Sequence, residues 1–197
     1  NAVFLKPGDP FTWASGIKSP IYCDNRLILS YPRVRERVED ALADMIHAEF
    51  PEAEVLMGTA TAGIAHAALA AERLDLPMGY VRGGAKGHGR GNQIEGRLDQ
   101  GAKVVVVEDL ISTAGSSLEA VETLREAGAE VLGIAALFTY NMARADERLA
   151  GANVRLVTLS NLDALVDVAV ASNYVNRDEG DSVLRFRDNP AAWEKGL

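Results

Sequence analysis

The sequence predicts an α/β protein with a mainly parallel central sheet flanked by helices, and three observations carry that expectation. From residue 55 onward, short apolar runs alternate with longer stretches of helical periodicity; Val104 to Val107 is apolar at every position; and an acidic pair, Glu108 and Asp109, follows it directly. A run without alternation is expected for a strand covered on both faces. Ligands in open α/β sheets gather beyond the carboxyl ends of the strands, which makes the acidic pair a candidate site.

Taken in order, residues 1–30 are rich in Pro, Gly, Ser and aromatics and suggest no long helix. A helix is expected over 32–50, with Val34, Val38, Ala41, Leu42 and Met45 at helical spacing. Strands follow at 55–57, 78–81, 104–107 and 131–138, and helices at 62–74 and 117–127. The chain is expected to be one domain, a core of about 31–154 with a small cap from about 1–30 and 155–197. The charged tail from Arg177 to Lys195 is expected to be solvated surface, and Phe4, Phe11, Trp13 and Trp193 to be packing residues.

The composition excludes several classes. With 197 residues, 48% hydrophobic and 24% charged, the chain can bury a core. Its apolar runs are far shorter than the roughly 18 to 20 residues that cross a bilayer, so no membrane partner is expected. A net charge of −8 argues against broad nucleic-acid binding, which needs a surplus of Lys and Arg. Cys23 stands alone and forms no internal disulfide, and no secretory signal is visible, which together suit the cytoplasm. His47, His66 and His88 are too scattered for a zinc cluster, so a metal would be Mg²⁺ carried in on phosphate.

Four segments can carry chemistry. The first is Val104-Val105-Val106-Val107-Glu108-Asp109-Leu110-Ile111-Ser112-Thr113-Ala114-Gly115-Ser116-Ser117, where a strand, two carboxylates and a hydroxyl-rich loop lead into a helix. Ser116 and Glu119 have capping-box spacing, and free N–H groups at a helix start attract anions. No Lys follows Gly115, so the loop is not a Walker motif. The second, Gly58-Thr59-Ala60-Thr61-Ala62-Gly63, is on its own equally a plain helix entry or a ligand loop. The third, residues 82–97, has six glycines and five cations, Arg82, Lys86, His88, Arg90 and Arg97, and reads as a basic lid over an anion or as a bare hairpin. The fourth, residues 11–26, is by physics alone an extended, turn-rich arm.

The first segment is similar to the motif by which type I phosphoribosyltransferases bind PRPP (5-phosphoribosyl 1-diphosphate). The resemblance implies that Glu108 and Asp109 meet the ribose hydroxyls, that Asp109 has a catalytic role, and that the loop from Leu110 and Ile111 through Ser112, Thr113, Ala114, Gly115 and Ser116 holds PRPP, its Ser112 to Ser116 part wrapping the 5-phosphate. By the same resemblance Thr59, Ala60 and Thr61 face the pyrophosphate. The third segment resembles the catalytic loop of the orotate phosphoribosyltransferases, matched at Arg82, Lys86, His88 and Gly89. In that family the loop closes over the active site of the neighbouring subunit of a homodimer.

Ser15-Gly16, Ser19-Pro20, Tyr22, Asp24 and Arg26 resemble the amino-terminal signature of that same branch. This implies that Tyr22 and Cys23 border orotate, with Ser112 reaching it from the PRPP loop. The implied reaction joins orotate to PRPP, giving orotidine 5′-monophosphate and pyrophosphate, with Mg²⁺ bound mainly through PRPP oxygens and Lys86, Arg82 and His88 stabilising the leaving group. A PRPP-sensing regulator that binds nucleic acid, or a purine transferase, are the alternatives. The chain departs from relatives at Ala14, Ala62 and Gly83 or Gly84, where they carry lysines. Relatives also carry a helix ahead of this signature. The orotate carboxylate is left between Arg144 and Arg155.

Overall fold

The computed structural model describes residues 2–12, 18–84 and 93–193. Strand β1 (Val3–Leu5) pairs antiparallel with β4 (Ile21–Cys23), and β2 (Phe11–Thr12) with β3 (Lys18–Ser19). A 3-10 turn over Asn25–Ser30 follows, started by Asp24, whose carboxylate accepts the Arg26 N–H at 3.2 Å and the Arg26 guanidinium at 2.7 and 2.9 Å. Helix α1 (Pro32–Glu49) then opens with proline at its first position, where a missing N–H costs nothing.

The core continues with β5 (Val55–Thr59), α2 (Ala62–Leu74), β6 (Met78–Val81), β7 (Ile94–Glu95), β8 (Lys103–Ile111), α3 (Gly115–Glu126), β9 (Glu130–Thr139), α4 (Ala143–Gly151) and β10 (Leu156–Asn161). Helices α5 (Leu162–Ala171), α6 (Arg177–Asp188) and α7 (Pro190–Trp193) end the described chain. Six strands form the sheet in the order β10-β9-β8-β5-β6-β7, all parallel except β7 against β6.

Val104 to Val107 are each fully buried because the strand's two faces are covered by different helices. Val104 and Val106 pack with Ala120, Val121 and Leu124 of α3 and Leu149 of α4. Val105 and Val107 pack with Leu42 and Ile46 of α1 and Ala67 and Ala70 of α2. Each such valine contributes about 1.5 to 3 kcal/mol of burial. A third core joins Leu5 and Ile21 of the N-terminal hairpin to Phe138, Tyr140, Leu162, Val166, Val183 and Phe186, making a hood over one end of the sheet.

The structure corrects four sequence expectations. β8 runs on through the acidic pair to Ile111, because its pairing with β9 continues to Thr139. β10 pairs in parallel with β9, so residues 156–161 belong to the central sheet and the hood starts at α5. The charged tail is no solvated surface as far as Trp193: α6 has an Asn176–Glu179 capping box and buries Gly180, Val183 and Phe186, with Trp193 edge-on to Phe186 at 5.7 Å. On α1 the inward stripe is Glu39, Leu42, Ala43 and Ile46, while Val34 is exposed. Glu39 faces in because its Oε1 lies 2.6 Å from His66 Nδ1 on α2, both side chains fully buried.

Candidate active site

The order of strands places the site. From β5 the chain crosses through α2 to β6 on one side, and from β8 it crosses through α3 to β9 on the other. The segments leaving β5 and β8 therefore diverge and open a crevice beyond the carboxyl ends of two adjacent strands, where ligands bind in open α/β sheets. Thr59, Ala60 and Thr61 border the crevice from β5, and Ser112 to Ser116 from β8.

The two acids take different surroundings. Glu108 is buried, with Oε1 accepting the Asp109 N–H at 3.1 Å and Oε2 accepting the Ser117 hydroxyl at 3.0 Å. Burial pushes its carboxyl up to about 7, while the adjacent Thr59 hydroxyl works against the shift. Thr59 also donates to Val107 O at 3.3 Å. Asp109 is half-buried and faces the hood: Asn25 Nδ2 donates to its carbonyl at 2.8 Å, and its carboxylate helps raise the Cys23 thiol and the Tyr140 phenol.

Beyond Ile111 the loop is tight. Ser112 and Thr113 are half-buried, Ala114 is buried with φ 56, and Ser116 is exposed. Helix α3 starts at Gly115 with Ala114 at its cap and no side-chain capping bond, so the expected Ser116–Glu119 capping box is absent. Ser116 lies inside the first turn, where its hydroxyl cannot act as the cap, and no side chain caps the first N–H groups of α3.

On the β5 side, Ala60 N–H donates to Val81 O at 2.9 Å, and the Ala60–Thr61 peptide is cis. Close packing makes room for this corner: a Cβ on Gly63 would come within 2.4 Å of Val107 O and 2.6 Å of Thr59 Oγ1. Arg82, one residue past β6, donates its N–H to Gln93 O at 2.8 Å and pairs through Nη1 with Glu95 Oε1 at 3.2 Å. One cleft is lined by Thr59, Ala60, Arg82, Gly84, Gln93 and Ser116. Three sequence-distant segments thus converge. Lys86 and His88, like Ala14 and Trp13, lie outside the described residues.

On the hood side, Tyr22 is exposed and its ring sits 5.6 Å from Phe11. The Cys23 thiol is pushed up to about 12, chiefly by burial and then by Asp109 and Asp24, and it donates to Asn25 Oδ1 at 3.4 Å. It therefore stays protonated and is no nucleophile. Of the two candidate arginines, Arg155 sits at the amino end of β10, away from the carboxyl ends of the strands, where it donates to Glu49 O at 2.8 Å, pairs with the Glu49 carboxylate and lies 5.3 Å over the Phe50 ring. Arg144, at the start of α4, follows the carboxyl end of β9.

A phosphoribosyl transferase domain model matches residues 28–171. The chain belongs to the phosphoribosyltransferase family. Within that family it is 59% identical over 195 residues to an orotate phosphoribosyltransferase of Listeria innocua, covering 99% of this chain and 93% of the relative. It is 57% identical to one from Bacillus cereus, covering 98% and 93%. Among solved structures, the orotate phosphoribosyltransferase of Aeropyrum pernix superposes with a TM-score of 0.77 at 32% identity, covering 89% of this chain and 94% of that one.

Sequence reasoning missed Asn25, Ser117, Glu95 and Arg148 as parts of this phosphoribosyltransferase site. Asn25 and Ser117 lie inside quoted motifs, yet their partners are 84 and 9 residues away, which no local pattern encodes.

Proposed function

We infer that the protein transfers the phosphoribosyl group of PRPP to orotate, releasing pyrophosphate and giving orotidine 5′-monophosphate. The observation that carries this is the crevice itself: two loops diverge from adjacent strands, and a half-buried Asp109 between them faces the N-terminal wall made by Tyr22 and Cys23. In this reading the 5-phosphate lies on the loop from Ser112 to Ser116, the pyrophosphate on Thr59, Ala60 and Thr61, and orotate against the wall.

As the C1–oxygen bond breaks, positive charge grows on the ribose and negative charge on pyrophosphate, so stabilising the leaving group matters more than a strong base. Arg82, Lys86 and His88 take that role, and Asp109 accepts from the ribose hydroxyls and steadies the positive centre. Arg144 is the candidate partner for the orotate carboxylate. Among the described residues no cluster of three or more His, Cys, Asp or Glu could cage a metal. Asp109, half-buried at the crevice, is the carboxylate that would meet the water of an Mg²⁺ carried in on PRPP oxygens. When bound, Mg²⁺ neutralises charge on the diphosphate.

No described helix is long and apolar enough to cross a membrane. We place the enzyme in the cytoplasm as a homodimer whose 82–97 segments reach the neighbouring site, without a nucleic-acid partner. Exposed Leu27, Tyr31 and Val34, close together ahead of and within α1, offer an apolar surface for a second copy. The test is the ultraviolet absorbance of orotate with purified protein, PRPP and Mg²⁺. A fall in the complete mixture alone is the expected result. Turnover of hypoxanthine or adenine in place of orotate would overturn the acceptor assignment, and PRPP binding without any turnover would overturn the enzyme reading.

A further inference from the structure

Arg148 belongs to none of the motifs above, yet it reaches the phosphate loop from behind. From α4 its Nη1 donates to Thr113 O at 3.0 Å and lies 3.4 Å from Thr113 Oγ1. A Cβ on Gly115 would stand 3.4 Å from the same Nη1, so the guanidinium lies directly beneath the loop. The start of α3 has two sides: Gly115 borders a groove shared with Arg148 and Arg125, and Ser116 borders the cleft shared with Thr59 and Arg82.

We propose that Arg148 is a positioning residue for the 5-phosphate of PRPP, fixing the Thr113–Ala114 peptide so that its N–H faces the crevice. The proposal rests on the PRPP reading above. In a planar trans peptide the carbonyl and the following N–H point in opposite directions. Drawing Thr113 O toward α4 therefore turns the Ala114 N–H to the other side, and Ala114 N–H donates to no backbone acceptor among the described residues. Ala114 adopts φ 56, a left-handed conformation that an alanine does not hold unaided. A bond from a charged donor is stronger than a neutral one, and it polarises the peptide so that the far N–H becomes a better donor to an anion. Thr113 Oγ1, within reach of the same nitrogen, is oriented by it as well.

The test exploits the chemistry of the two directions of reaction. PRPP and orotidine 5′-monophosphate carry the 5-phosphate, whereas orotate and pyrophosphate do not. Arg148→Met should raise KM for the first pair about tenfold and leave KM for the second pair and kcat within about twofold. Arg148→Lys, which keeps a charged donor without the planar fork, should recover part of the loss. Should the methionine variant not fold, the lysine variant carries the measurement, with an expected rise of about threefold in the same two constants. Unchanged KM for all four compounds, or equal damage to all four with a fall in kcat, overturns the proposal. A wild-type protein that turns over neither PRPP nor orotidine 5′-monophosphate instead sinks the PRPP reading itself.

Discussion

The crevice corner and the hood face each other across Asp109, and they are built in opposite ways. At the corner, residues 59–63 and 107–117 are continuous stretches in which backbone meets backbone, as where Gly63 approaches Val107 O. The hood gathers Leu5, Ile21, Tyr140, Leu162 and Phe186 from distant parts of the chain into one core. In the proposed reaction the corner takes the phosphates of the donor, and its close backbone packing leaves little room for added volume. The hood takes the acceptor in the same proposal, and it rests on side chains that can be exchanged.

The largest effects should fall on the chemistry. Lys86→Ala and Asp109→Asn are each expected to lower turnover by about 10² to 10³ with near-normal thermal unfolding. Turnover within twofold of wild type would refute the role of that residue. If the active sites are shared, mixing these two inactive variants should restore about a quarter of wild-type activity, since half the dimers are mixed and each has one intact site. No recovery on mixing would place Lys86 and Asp109 in one subunit's site.

Next comes the corner's packing. Gly63→Ala would drive a methyl into the Val107 carbonyl, and the central strand cannot retreat, so urea unfolding should show a loss of about 3 kcal/mol. An equal loss from Asn25→Ala would erase the contrast between the regions. That variant removes the hood's bond to the Asp109 carbonyl and should cost only about 1 kcal/mol while raising KM for orotate more than for PRPP.

A smaller effect is expected from pH. Glu108 has a raised folded-state value, so the stability it contributes is present below its ordinary 4.5 and is lost as pH rises through about 7. Between pH 5 and 8 the urea midpoint of wild type should fall relative to that of Glu108→Gln; parallel curves would show that the buried carboxyl does not titrate there. Smallest of all, Ala114→Gly should raise stability by about 0.5 kcal/mol, because glycine adopts a positive φ without the Cβ penalty.

What could be read from the sequence follows the same divide. Strand 78–81 and helix 62–74 were legible to the residue, since each is bounded by turn residues and buries a regular stripe. The turn from β8 into α3 was legible as a strand, loop and helix, but its capping was misjudged, because Ala114 takes a left-handed turn that spacing alone does not reveal. β10 escaped notice because, as an edge strand, it is half-buried along its whole length and has no clear alternation. In α6 the charges hid a usable signal, apolar or small residues at 180, 183 and 186, three apart on one face. Glu39 with His66, and Arg148 with Thr113, become neighbours only after helices pack, and no local pattern announces either pair.

The hood's core has a consequence for the order of assembly. On the ribosome, Leu5 and Ile21 emerge well before Leu162, Val183 and Phe186, against which they pack. The parallel strands from β5 to β9 can collapse while the N-terminal hairpin still waits for a partner. A nascent chain thus acquires the corner between β5 and β8 before the hood, and the hood closes only once α5 and α6 have been made.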